Sequence, residues 1–267
     1  SPDNSPSPRN NPAMAYDSVR ERIVLFGGEY DSIQLDDTWE WDGENWVEFY
    51  PEVKPTAGIH PDMVFDTKKE KIILSRWEWD GTNWEEQTEY EPSECGGSPR
   101  LVYNTNREKL VVSCDNGIFE LEGNLLVNKA ITINSISIPD LYVPKMSYDS
   151  LRNEMIMSYN STWVWNESFW SQLSPDNVPE FIYGHESFTV FNPVNGKINH
   201  FFKSSESTNE TWEWDGNNWI KLKGAEGPDC QGSCICTVST CPDNEKSWAF
   251  MFFDTINEKV VLFGMDQ

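Results

Sequence analysis

Short apolar runs punctuate the chain at wide intervals: RIVLF from Arg22, KIILS from Lys71, KLVVS from Lys109 and KVVLF from Lys259. Each follows an aromatic residue and a polar turn, a pattern that occurs six times, as YDSVRERIVLFGG from Tyr16, FDTKKEKIILS from Phe65, YNTNREKLVVS from Tyr103, YDSLRNEMIMS from Tyr148, FNPVNGKINHF from Phe191 and FDTINEKVVLFG from Phe253. The segment ending at each aromatic (AMAY, DMVF, RLVY, KMSY, SFTVF, AFMFF) is a second short apolar run. Runs this short, rich in β-branched residues and bounded by turn formers, predict paired strands, A and B, in each unit.

Five of the six units carry a second half. In four it is a tryptophan motif: TWEWDGENW from Thr38, RWEWDGTNW from Arg76, TWEWDGNNW from Thr211 and the worn copy TWVWNESFW from Thr162, which together hold twelve of the thirteen tryptophans. Alternation of tryptophan with polar residues predicts a strand C, the Asp-Gly pair a two-residue turn with positive φ, and NWVEF or NWIKL a returning strand D. Four short antiparallel strands repeating about every 45 residues predict an all-β fold of β-propeller blades. About six blades are expected, the last incomplete: a single propeller domain over residues 12–267, with units beginning near 12, 61, 99, 144, 187 and 248, preceded by an extended proline-rich arm over 1–11.

RIVLFGG, a polar loop, DTWEWDG and a downstream tryptophan together resemble the Kelch motif, in which a glycine pair closes strand B before an aromatic-rich strand C. The resemblance runs from Pro12 to Gly264. Only the first unit keeps both glycines, Gly27 and Gly28; the sixth keeps Gly264 alone, and the third has GIFELEGNLL in place of the tryptophans. It implies a Kelch-like propeller, the superfamily that includes the central domain of galactose oxidase. In such a fold large flat side chains recurring at one depth fill the wedge between blades, so the tryptophans are expected to be buried packing rather than an exposed sugar-stacking platform.

Forty-four acidic residues against twenty basic ones give a formal charge of -24, which repels phosphate backbones and anionic lipid and argues against nucleic acid as a partner. No apolar stretch reaches the ~18 residues of a membrane helix. The sequence opens at Ser1 without a methionine or a signal pattern, as expected of a processed protein or an excised domain. Six cysteines, Cys95, Cys114, Cys230, Cys234, Cys236 and Cys241, lack paired C-x-x-C spacing and are expected as disulfides. The last four lie in or beside the cysteine-rich loop 228–247. Sequons at Asn160, Asn166 and Asn209 add to an extracellular, glycosylated reading.

Strands alternate in direction, so A–B and C–D turns emerge on one face and B–C and D–A connections on the other. The first class is short and uniform. The second is irregular and therefore the candidate recognition face. It places Cys95 and Cys114 at adjacent strand ends, where they can bridge, and leaves the other four cysteines to form two bridges among three pairings. On that face GGEYDSIQLDD gathers Glu29, Tyr30, Asp31, Asp36 and Asp37, and with His60 these are the candidate ligand-binding residues. Solvated carboxylates are the ordinary reading of the cluster and a calcium or cationic-ligand site the alternative; four carboxylates fall short of six or more oxygens, so no cofactor or metal site is expected.

A catalytic constellation is absent from the sequence. A galactose-oxidase-like copper site would need histidine and tyrosine ligands with a cross-linked cysteine, and His60, His185 and His200 stand isolated. The expected function is therefore an extracellular, non-catalytic module recognising another protein. A structural subunit completed by strand exchange, as a homo-oligomer or larger assembly, is one alternative; a propeller enzyme is another. The sixth unit stops before any TWEWDG half, leaving its strand B with an edge to be covered by the N-terminal arm, by CICTVST of the cysteine-rich loop, or by another chain, with closure within the chain favoured.

Overall fold

The structure, a computed structural model, describes residues 5–56, 62–87, 99–114, 117–122, 125–128, 145–158, 161–166, 169–179, 187–203, 209–222, 234–237, 247–255 and 257–265. The first unit comprises Ala13–Asp17 (β1), Arg22–Tyr30 (β2), Ile33–Trp41 (β3) and Trp46–Phe49 (β4). The second comprises Met63–Asp66 (β5), Lys71–Leu74 (β6), Trp77–Trp79 (β7) and Trp84–Glu86 (β8), and the third Arg100–Asn104 (β9), Lys109–Cys114 (β10), Gly117–Glu122 (β11) and Leu125–Asn128 (β12). Lys145–Asp149 (β13), Glu154–Ser158 (β14), Thr162–Trp165 (β15) and Trp170–Leu173 (β16) form the fourth; Ser187–Asn192 (β17), Lys197–Lys203 (β18), Asn209–Trp214 (β19) and Trp219–Leu222 (β20) form the fifth. Cys234–Thr237 (β21), Ser247–Asp254 (β22) and Lys259–Met265 (β23) complete the set.

Units one to five are antiparallel four-stranded sheets in the order A-B-C-D. Five complete blades thus form where six were counted, because the sixth repeat lacks its tryptophan half. Its sheet has three strands in the order β21-β23-β22. The third strand is CICT from the cysteine-rich segment, with Cys234 opposite Gly264 and Thr237 opposite Val261. One of the two segments of this chain expected to cover that edge does so. The described part of the arm, from residue 5, does not: Asn10 bridges Glu29 in the first sheet. By backbone proximity the chain divides into two compact units, Ser1–Ala130 with Met265–Gln267, and Ile131–Gly264.

Local chemistry repeats as closely as topology. Strand A ends in Asp17, Asp66, Asn104, Asp149, Asn192 or Asp254, and the side-chain oxygen accepts N–H groups from the following turn, as Asp17 does from Val19 and Arg20 at 3.0 and 2.9 Å. That turn ends in a left-handed residue, Glu21, Glu70, Glu108, Asn153 or Glu258, with φ of 52 to 60°, or Gly196 at 68°. A non-glycine residue there costs on the order of 1 kcal/mol, and its recurrence shows that the side-chain-capped turn dictates the backbone. The C–D turn differs from expectation by one position. Asp42 N–H donates to Asn45 O, so the central pair is Gly43-Glu44, and only Gly43 has positive φ. Asp42 caps this turn from outside through the N–H groups of Glu44 and Asn45.

Within each compact unit, neighbouring sheets bury their faces against each other. Ala13, Val24 and Phe26 of the first pack with Phe65, Ile72 and Trp79 of the second, and Ile156 and Val164 of the fourth pack with Ile198, Trp214 and Trp219 of the fifth. Of the twelve motif tryptophans nine are buried, and Trp41, Trp77 and Trp212 are half-buried. Burial contributes roughly 2 to 3 kcal/mol per indole by area. The motif's hydrogen bonds then fix its register. The first tryptophan donates to the residue two before it, Trp39 to Asp37, Trp163 to Ser161 and Trp212 to Glu210. The last donates to the threonine opening the preceding blade's motif, Trp84 to Thr38 and Trp219 to Thr162. These tryptophans are scaffold.

Candidate functional site

The first sheet departs from the others in its middle strands. β2 and β3 each run nine residues, whereas the corresponding strands elsewhere run three to seven. GGEYDSIQLDD, read from sequence as an irregular loop, is a paired ribbon: Gly28 lies opposite Leu35, Glu29 opposite Gln34 and Tyr30 opposite Ile33. Asp31 and Ser32, with φ of 48° and 63°, form a two-residue turn whose left-handed positions match the twist of the flanking strands. Because the turn holds no glycine, its signal in the sequence was weak.

At the root of the ribbon the ladder slips by one residue at Gly27. A Cβ on Gly27 would sit 2.8 Å from Leu35 O, and one on Gly28 2.8 Å from Asn10 O. The glycine pair therefore admits a bulge and, beside it, the backbone of the N-terminal arm. Asn10 and Glu29 exchange both backbone hydrogen bonds at 2.8 and 2.9 Å. One residue earlier, Arg9 is buried to 1% side-chain exposure. Its Nη1 and Nη2 donate to Asp37 Oδ1 and Oδ2 at 2.6 and 2.9 Å, and Nη1 also to Gly27 O at 2.9 Å. Nε and Nη2 turn back to Ser7 O and Oγ. Burial works to raise the Asp37 carboxyl, but hydrogen bonds from Arg9 and Trp39 outweigh it and hold it below the ordinary carboxylate range.

The candidate residues thus separate along the ribbon. Asp31 stands at the tip and Asp37 at the root, roughly 17 Å away at strand rise, so the carboxylates do not converge. Among the described residues no three His, Cys, Asp or Glu side chains come together as metal ligands do. Asp36 pairs with Lys54 at 3.0 Å, and Asp37 is occupied by Arg9. Tyr30 and Ile33 flank the turn and are 53% and 63% exposed, large apolar side chains held outward by a braced hairpin.

His200 is a core residue of β18, wholly buried, with Phe202 and Trp219 edge-on at 5.3 and 6.0 Å. His60, His185, Cys95, Cys230, Cys241 and Asn160 lie outside the described residues. Cys114 ends β10 opposite Gly117, and Cys234 and Cys236 belong to β21. Asn166 is exposed at a C–D turn, and Asn209 begins β19. Sequence reading passed over Arg9; its one signal was a basic residue alone in an otherwise uncharged SPSPRNNP.

Comparison with known proteins bears on the fold. No family model matches the sequence, and no curated protein resembles it significantly in sequence. Among solved structures, one similar in fold is an auxiliary nutrient binding protein from Bacteroides ovatus, with 10% identity over 97% of this chain and 70% of that one and a TM-score of 0.56. Another is a structural genomics protein of unknown function from Bacteroides thetaiotaomicron, with 10% identity over 98% of this chain and 71% of that one and a TM-score of 0.61. The fold is a β-propeller. The Kelch resemblance rests on the repeat residues alone. Among the described residues no helix is long and apolar enough to cross a membrane.

Proposed function

We propose that the chain is an extracellular, non-catalytic binding module of Kelch-like repeats that recognises another protein through the side of the fold carrying its B–C and D–A connections. The observation that carries this reading is the ribbon tip: Tyr30 and Ile33 are exposed on a hairpin whose root is fixed by an ion pair and a backbone bridge. Aromatic side chains on preorganised supports are the usual anchors of protein recognition, since little entropy is lost on binding. Glu29 and Asp31 border the tip, so the complementary surface is an apolar patch with a basic rim. The burial of His200 in the core favours binding over catalysis, and a fold shared with a nutrient binding protein is compatible with it. Pairing of β21 on β23 favours closure within the chain over strand exchange.

The test is capture of secreted and cell-surface proteins by the native protein and by a Tyr30→Ala, Ile33→Asp double variant of unchanged melting temperature. Loss of two anchors is expected to weaken a captured partner roughly a hundredfold or more. Equal affinity for both proteins would refute the site. The extracellular part of the reading is tested by intact mass under non-reducing conditions, where all six cysteines are expected oxidised.

A further inference from the structure

Residues 7–10 are held as a bound peptide is held. An extended segment pairs with a strand through reciprocal backbone bonds, and one side chain enters a polar site whose every feature suits a guanidinium. Asp37 offers two oxygens to the fork of Arg9, Gly27 O takes a third N–H bond, and Trp39 Nε1 fixes the carboxylate from behind at 2.7 Å. Gly28 leaves open the path of the incoming backbone, since a Cβ there would strike Asn10 O. A lysine would reach Asp37 as a single point and forfeit the forked contact.

We infer that the root of the first-blade ribbon is a binding site for an extended, arginine-bearing peptide, that Ser7–Asn10 is its resident occupant, and that an arginine peptide from outside competes with it. This holds whatever the hairpin tip binds. A tethered occupant acts at an effective concentration on the order of millimolar, so an outside peptide of equal intrinsic affinity is excluded while Arg9 is seated. Unseating Arg9 would admit it and release the brace on the tip.

A fluorescent peptide SPSPRNNP titrated against the native protein and against Arg9→Gly tests the inference. Binding at least tenfold tighter to Arg9→Gly is expected, together with loss of binding when the peptide arginine is replaced by lysine or when Asp37→Asn is added. Equal affinity for native protein and Arg9→Gly, or equal binding of the arginine and lysine peptides, would overturn it. Should Arg9→Gly not fold, hydrogen exchange on Asp37→Asn decides: faster exchange at both the Asn10 and Glu29 amides supports docking through the arginine, and native protection at both rejects it.

Discussion

The junction of the first and second blades and that of the fourth and fifth share one design, and they differ in the strand C residue beside the next blade's middle tryptophan. In the first, Glu40 on strand C accepts from Arg20 Nη1 at 2.6 Å and from Trp79 Nε1 of the next blade at 2.7 Å. In the second, Val164 stands at that position, and Trp214 Nε1, the counterpart of Trp79, is buried with no partner among the described residues. Arg152, the counterpart of Arg20, turns instead to Gly196 O and Asp215 O at 2.7 and 2.6 Å. Both arginines lie across the glycine of the next blade's C–D turn, Gly81 or Gly216, where a Cβ would meet the guanidinium at 2.5 or 2.4 Å. Packing therefore survives the loss of the carboxylate; the indole's hydrogen bond does not.

That contrast can be broken from either side. Glu40→Val converts the better junction into the poorer one and strands two donors at once, with an expected loss of about 3 kcal/mol by urea unfolding followed through tryptophan fluorescence. A loss under 1 kcal/mol would mean that water serves Trp79 as well as Glu40 does. Thr38→Val and Thr162→Val each remove the acceptor of a buried indole that both junctions share. Equal costs of about 1 to 2 kcal/mol are expected, and a large inequality would show that the junctions differ beyond residue 164. Val164→Glu supplies the missing acceptor beside Arg152 and is expected to stabilise by about 1 kcal/mol at neutral pH, whereas destabilisation would show that desolvating the carboxylate outweighs its two bonds.

The smallest effect concerns pH. Burial, with Asp149 adding to it, raises the carboxyl of Glu154 in the fourth blade, while in the second blade Lys69 and Lys71 overcome burial and lower that of Glu78. A raised acid stabilises the fold below its unfolded pKa, and that stabilisation is lost as pH rises through the folded value. A lowered one contributes above the unfolded value, near 4, and is lost as pH falls through the folded value. Glu154→Gln should thus give a slight gain in melting temperature at pH 7 and none at pH 3, whereas Glu78→Gln should lower it at pH 7. A pH-independent response in both would contradict these shifts.

How much of this was legible depends on how local the cause was. Strands A to D of the complete blades and the burial of most motif tryptophans follow from residues a few positions apart, and the structure places them where alternation puts them, whereas the C–D turn falls one position later than the Asp-Gly pair. What escaped involved distant partners or unusual turn residues. Asp31-Ser32 adopts a turn normally flagged by glycine, so the ribbon read as loop. Arg9 acquires its meaning only when Asp37 is brought to it across 28 positions. The acidic cluster looked like a site because its carboxylates are close in sequence; pairing spreads them along a ribbon.

The sixth sheet orders its strands differently from the chain that makes them. In the five complete blades each strand pairs with one just synthesised, so every hairpin can form as it emerges. β23 is the centre of its sheet, yet it is the last of the three to be made, about 22 residues after β21. At the usual 5–20 residues per second, β21 therefore leaves the ribosome on the order of seconds before the strand that will pair with it. Until then two cysteines, Cys234 and Cys236, travel on an unpaired segment, and any bridge they make in that interval is chosen before the blade exists to guide it.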